Sequence, residues 1–139
     1  LGALLRSADG AGVDAVIAAD PVSDVWNPNA IRASLGTIFS TPVATCTSGE
    51  ALAFLREHGV GIFAARVEGA ADYDAVDLTG SVALVVGAET SGLSEIWRGQ
   101  DVTTISIPML GLADSLNVST SAAVLFYEAR RQRRASERH

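Results

Sequence analysis

The sequence predicts an α/β fold, a mainly parallel sheet flanked by helices, and three observations carry that expectation. Short apolar runs alternate with stretches of helical period along the chain, the pattern of crossover units that join parallel strands. Glycine, Asn-Pro and Asp-Pro signals fall where each strand or helix should stop. The length of 139 residues suits one domain spanning residues 1–139, and a chain of that size buries about two thirds of its unfolded surface without staples.

Residues 2–11 carry Leu4, Leu5 and Ala8 at helical spacing and stop at Gly10 and Gly12, so a first helix is expected there. "VDAVIAAD" (13–20) is an apolar run closed by Asp20-Pro21, a buried strand entering a turn. Residues 22–36 give a loop with Asn27-Pro28 and then a short helix ending at Gly36. "TPVATC" (41–46) is the next strand, and Ser48 with residues 50–58 forms a helix stopped by Gly59. Further strands follow at 61–67, 82–86 and 103–107, and the last helix should run from Ser115 to about Arg134, roughly 30 Å long. Val118, Ala122, Leu125, Phe126 and Ala129 share one face of it, a stripe that needs the sheet or a second subunit to cover it.

Composition narrows the class. The hydrophobic fraction is 48%, but the longest apolar run, Val82 to Val86, is far too short to span a bilayer, so no membrane segment is expected. The first residues carry an arginine and an aspartate, so no export signal is expected there, and the single cysteine, Cys46, suits a reducing cytoplasm. A net charge of -6 argues at first against a nucleic-acid partner. Its distribution changes that reading: residues 1–129 hold five arginines against fifteen acids, whereas residues 130–139 hold five arginines and one glutamate. The Arg130 to Arg134 stretch reads as a solvated, frayed helix end that could supplement RNA contact.

Familiar chemistries are missing. There is no G-x-x-x-x-G-K-[ST] loop, no G-x-G-x-x-G after the first strand, no G-x-S-x-G elbow, and one cysteine with His58 and His139 makes no zinc set. In parallel sheets the ligand sits beyond the carboxyl ends of the strands, which singles out "GAETSGLS" after 82–86 and "PMLGLADSLN" after 103–107. Pro108 lacks an N–H and must end its strand, leaving Ile107, Met109, Gly111 and Leu112 as an apolar loop with free backbone amides. Such a loop suits an adenine, gripped on its face by apolar side chains and on its edge by main-chain bonds. Asp114, Ser115, Asn117 and Ser119 oversupply the one cap that a helix start needs.

With "LGALLRSA", "LVVGAETSGLS" and "IPMLGLADSLNVSTSAAVLFYE" in that order, the chain resembles the SpoU (TrmH-like) RNA ribose methyltransferases of the SPOUT superfamily across essentially its whole length. The resemblance implies a C-terminal deep trefoil knot, one of the rare exceptions to unknotted topology. It also implies S-adenosylmethionine as cofactor without a metal, RNA as substrate with ribosomal RNA favoured over transfer RNA, a homodimer, and a cytoplasmic location. Cofactor contacts carry over to Val86, Gly87, Ala88, Gly92, Ile107, Pro108, Met109, Ser115 and Leu116, and catalytic roles to Arg6, Glu89, Ser115 and Asn117. Arg6 and Arg32 match arginines that meet the RNA. Gly2 and Arg6 fit the family's first motif, Asn-x-Gly-x-x-x-Arg, whose asparagine would stand just before Leu1. Relatives commonly carry an additional N-terminal RNA-binding domain, and the start inside a helix leads to the expectation of a domain cut from a longer protein.

Two functions follow. The first is methyl transfer to a ribose 2'-hydroxyl, with Arg6 stabilising the alkoxide, since a guanidinium stays protonated and is no base. A catalytically inactive RNA-binding or dimerisation module of the same fold is the alternative, and the missing asparagine speaks for it. An unknotted flavodoxin-like ligand-binding domain is a third.

Overall fold

The computed structural model describes residues 8, 10–19, 43–66, 71–87, 95–99, 101–107 and 118–137. Strands β1 (Val16–Ala19) and β2 (Val43–Cys46) pair in parallel, with Val16 opposite Val43. A second sheet holds β3 (Gly61–Ala65), β4 (Ala71–Asp72), β5 (Val82–Val85) and β6 (Val102–Ser106) in the order β4-β6-β3-β5, every pair parallel. Helix α1 (Ser48–Glu57) precedes β3, and helix α2 (Val118–Glu137) follows β6 in sequence. Two 3₁₀ turns, Tyr73–Ala75 and Glu95–Arg98, lie within the connections on either side of β5. The expected parallel α/β architecture is therefore present. Strand β4 and the turn after it were not foreseen, because two residues of strand leave no periodicity to read.

Each element has a local cause. Thr47 caps α1: its hydroxyl accepts from the Glu50 amide at 3.1 Å, and the Thr47 amide donates to Glu50 Oε1 at 3.0 Å. Gly59, at φ +64, ends the helix in the left-handed region that a side chain disfavours. His58 stays exposed at that end, with its ring 4.2 Å from Phe54 and Nδ1 2.9 Å from the Phe54 carbonyl oxygen.

One face of the sheet is covered by Ala51, Leu52 and Leu55 of α1 together with Trp97, which meet Ile62, Ala64 and Val102 in a single buried cluster. The glycine-to-alanine stretch of β3 alternates as expected, Ile62 and Ala64 buried and their neighbours not. Helix α2 packs against β5 and the Tyr73–Ala75 turn, burying Ala122, Leu125 and Ala129. The predicted stripe thus has an intramolecular partner, and Leu125 is fully buried.

Helix α2 continues three residues past the expected Arg134, and its basic end is not the frayed tail that composition suggests. Arg130 donates to the Gly10 carbonyl at 3.1 Å and Arg133 to the Gly80 carbonyl at 2.7 Å. Between them Gln132 works in both directions: its Nε2 donates to Val76 O at 3.0 Å, and its Oε1 accepts from the Leu78 amide at 2.7 Å. Sequence could not show this, because the acceptors lie more than 50 residues away. Residues 108–117, which lie in the C-terminal part where the resemblance places the knot, are outside the described residues. No described helix is long and apolar enough to cross a membrane.

Gln132→Ala should strand the amide of Leu78, a fully buried residue, and remove three bonds at once, to Leu78, Val76 and Glu128. Urea unfolding should register a loss of about 2 kcal/mol; a change within about 0.5 kcal/mol would mean that α2 is held by its apolar stripe alone.

Candidate active site

Parallel pairing brings the carboxyl ends of β3, β5 and β6 to one edge. Ala64 is opposite Val85 on one side and Thr104 on the other, and the ladder toward β6 extends one step further where the Arg66 amide donates to the Ile105 carbonyl at 2.9 Å. Continuing the β3–β6 register by one residue puts Ser106 level with Arg66, while the β3–β5 ladder ends at Ala64 and Val85, just before Val86 and Gly87. Val86, Gly87 and Ile107 are half-buried at this edge. These three are the predicted cofactor-contact residues among those described. They give an apolar rim with main-chain donors and acceptors just past the ends of their strands, a chemistry that fits the flat face and polar edge of an adenine.

The remaining predicted residues, Arg6, Arg32, Ala88, Glu89, Gly92, Pro108, Met109, Ser115, Leu116 and Asn117, lie outside the described residues. What the structure does show is how the segments beside them are anchored. Ala8 is fully buried, its carbonyl accepts from the Val13 amide at 2.9 Å, and Gly10 receives the Arg130 bond. A Cβ on Gly10 would come within 2.8 Å of the Tyr127 hydroxyl, so glycine permits the close approach of α2 to the stretch that follows Arg6. Helix α2, which follows the Ser115–Asn117 loop, is therefore tied both to residues 8–11 and to residues 76–80.

Two groups at or behind this edge escaped the sequence reading. Arg66 stands one residue past β3, but the strand expected at 61–67 put it inside the strand, so the rule that flagged the loops after 82–86 and 103–107 did not reach it. Burial, then the nearby positive charge of Arg98, weakens the hold of Arg66 on its proton, and Glu95 opposes both. Glu128, 7% exposed, is the other. Its carboxylate accepts from Arg131 Nε at 2.7 Å and Nη2 at 2.9 Å and from Gln132 Nε2 at 2.9 Å. The Arg131 bond, reinforced by Gln132, holds the Glu128 carboxyl below the usual carboxylate range against the opposing effect of burial. Only the i, i+3 spacing from Glu128 to Arg131 was visible in sequence, and that spacing commonly marks a solvated surface pair.

Comparison with known proteins bears on what this edge does. The sequence model of the SpoU rRNA Methylase family matches residues 1–127. The chain is 38% identical over 139 residues to a 23S rRNA (uridine(2479)-2'-O)-methyltransferase of Streptomyces viridochromogenes, covering 96% of this chain and 48% of that protein. It is 37% identical over 138 residues to the 23S rRNA (guanosine-2'-O-)-methyltransferase RlmB of Vibrio vulnificus, covering 99% and 56%. Among solved structures, the SpoU methyltransferase AviRb from Streptomyces viridochromogenes in complex with the cofactor AdoMet superposes with a TM-score of 0.83 at 35% identity, over 96% of this chain and 55% of that one. The chain spans about half the length of these relatives.

Because the folded state lowers the proton affinity of Glu128, the unfolded chain binds that proton more readily. The stability that Glu128 contributes is fully present above the ordinary glutamate range, about pH 4.3, and is lost as pH falls through it and below. Unfolding free energies between roughly pH 3 and 7 should therefore slope less steeply at the acid end for Glu128→Gln than for the parent. Parallel slopes would show that the buried carboxylate is not a linkage site.

Proposed function

Since the chain belongs to the SpoU rRNA Methylase family, we propose that it transfers a methyl group from S-adenosylmethionine to a ribose 2'-hydroxyl of RNA, with ribosomal RNA as the favoured substrate. The observation that carries the reading is the half-buried rim of Val86, Gly87 and Ile107 at the carboxyl edge of the parallel sheet. The relative AviRb, of the same fold, is described in complex with AdoMet, and both named relatives act on 23S rRNA at a 2'-oxygen.

Val86, Gly87, Ala88, Gly92, Ile107, Pro108, Met109, Ser115 and Leu116 are proposed to hold the cofactor, with apolar side chains on the adenine face and backbone groups on its edge. When bound, S-adenosylmethionine supplies a methyl carbon made electrophilic by its sulfonium, so no metal is needed to activate the leaving group. A ribose hydroxyl is a poor nucleophile at neutral pH, so the protein must stabilise negative charge as it develops on that oxygen. Arg6 is assigned this task as a permanent cation, and Glu89, Ser115 and Asn117 are assigned to orient the hydroxyl or the guanidinium. Arg32 is assigned to RNA contact. A homodimer working in the cytoplasm completes the proposal.

Calorimetry with S-adenosylmethionine and a tritiated-methyl transfer assay on protein-free ribosomal RNA test it together. Binding and methyl incorporation at a 2'-oxygen are expected; no detectable cofactor binding would sink the enzyme reading in favour of an inactive RNA-binding or dimerisation module. Arg6→Ala should lower kcat by roughly 100- to 1,000-fold while leaving cofactor affinity nearly intact, and a large loss of that affinity would reassign Arg6 to cofactor binding.

A further inference from the structure

We propose that Arg130 is a positioning residue for Arg6, fixing on helix α2 the end of the N-terminal segment from which Arg6 acts. The inference rests on the RNA methyltransferase reading and on the role proposed there for Arg6, and it adds a residue that neither the motifs nor the named relatives assign.

The geometry begins with how the N-terminal segment stops. Residues 8, 10 and 11 are helical, Gly12 turns into the left-handed region at φ +75, and the Val13 amide reaches back to the Ala8 carbonyl at 2.9 Å. This bond around a left-handed glycine is a Schellman stop, which satisfies the Ala8 carbonyl but does not reach that of Gly10. Arg130 supplies the missing donor. Its Nη1 donates to the Gly10 carbonyl at 3.1 Å from 120 positions along the chain, and a cation there also complements the negative end of a helix. Tyr127, one turn before Arg130 on α2, meets the same glycine, since a Cβ on Gly10 would stand 2.8 Å from its hydroxyl.

Ala8 is fully buried, which sets the depth of the segment, but a methyl group has no direction. A hydrogen bond does, and the one from Arg130 sets how the segment lies on α2. Arg6 is outside the described residues, yet it stands four positions before Gly10 in the sequence. The helix expected over 2–11 puts the two about 6 Å apart along one face, close enough for a shift at Gly10 to reach Arg6 undiminished. Stabilising an alkoxide depends on where the cation stands, and a misplacement of about 1 Å can cost about 100-fold in rate. Arg133 is the contrast. Its Nη2 makes a like bond from α2, 2.7 Å from the Gly80 carbonyl, but at the amino end of β5 and away from Arg6 in sequence.

The test compares the full chain with Arg130→Met, Arg130→Lys, Arg133→Met, Arg6→Ala and the double variant Arg6→Ala/Arg130→Met. Methyl transfer to protein-free ribosomal RNA, affinity for that RNA and for S-adenosylmethionine, and hydrogen exchange of the Val13 amide are measured for each. Arg130→Met should lower kcat roughly 10-fold with both affinities as in the parent, a smaller loss than a full misplacement because Ala8 stays buried. Exchange at Val13 should quicken. Arg130→Lys, which keeps a cationic donor, should recover most of kcat, and Arg133→Met should match the parent. In the Arg6→Ala background, Arg130→Met should cost less than about 2-fold more, because a residue that acts through Arg6 then has nothing to position. Should Arg130→Met fail to fold, Arg130→Gln replaces it under the same expectations. Parent-like kcat or Val13 exchange in Arg130→Met overturns the proposal, as does an equal loss in Arg133→Met or a full further loss in the double variant. Weakened RNA binding by Arg130→Met overturns it too, making Arg130 an RNA contact. A parent chain that transfers no methyl group overturns the functional reading itself and this inference with it.

Discussion

Strand β3 pairs in parallel with both β5 and β6, and the rest of the structure depends on that constraint. Parallel strands cannot be joined by tight hairpins, so each connection must cross a face of the sheet, and the crossings carry the α1 and Glu95–Arg98 cover. Because the strands run the same way, their carboxyl ends share an edge. The half-buried residues past those ends, Arg66, Val86, Gly87 and Ile107, are neighbours for that reason, although up to 41 positions separate them in sequence. A shift of one residue in the β3 ladder would turn Ile62 and Ala64 away from the Trp97 cluster, so burial fixes the register and the register fixes the edge.

Polar interactions then hold the C-terminal helix in place. Helix α2 has a buried apolar stripe, but a stripe alone lets a helix slide by a turn at modest cost. Gln132 removes that freedom, because its amide fits the Val76 carbonyl and the Leu78 amide in one arrangement only. Glu128 orients Gln132, and Arg131 keeps Glu128 charged. By contrast the Arg56–Asp101 pair is exposed on both sides and contributes little to stability, whatever its geometry.

Charge distribution follows the same division between holding and binding. Of the arginines near the C-terminus, Arg130 and Arg133 are struts between α2 and the body, bonded to the carbonyls of Gly10 and Gly80, while Arg131 is bonded to Glu128 within the helix. An acidic body with its basic groups so engaged has little long-range attraction for a polyanion.

Fold class, the longer strands and helices α1 and α2 were legible in the apolar period and the stop signals, which are local properties that the folded chain obeys. The sequence by itself also determined the family, through three motifs whose order and spacing are independent of any contact. The rim proposed for the cofactor was legible to the extent that Val86, Gly87 and Ile107 follow strand ends, a positional rule that needs no partner. What only the tertiary structure decided involves two distant segments at once. The stripe on α2 could have faced the sheet or a second subunit, and its packing on β5 was decided by the fold as a whole. The basic tail could have been solvent-frayed, and the carbonyls of Gly10 and Gly80 decided otherwise. Arg66 fell inside the strand expected at 61–67; its place just past β3 comes from a main-chain hydrogen bond to Ile105 across the sheet, which no local pattern of side chains encodes.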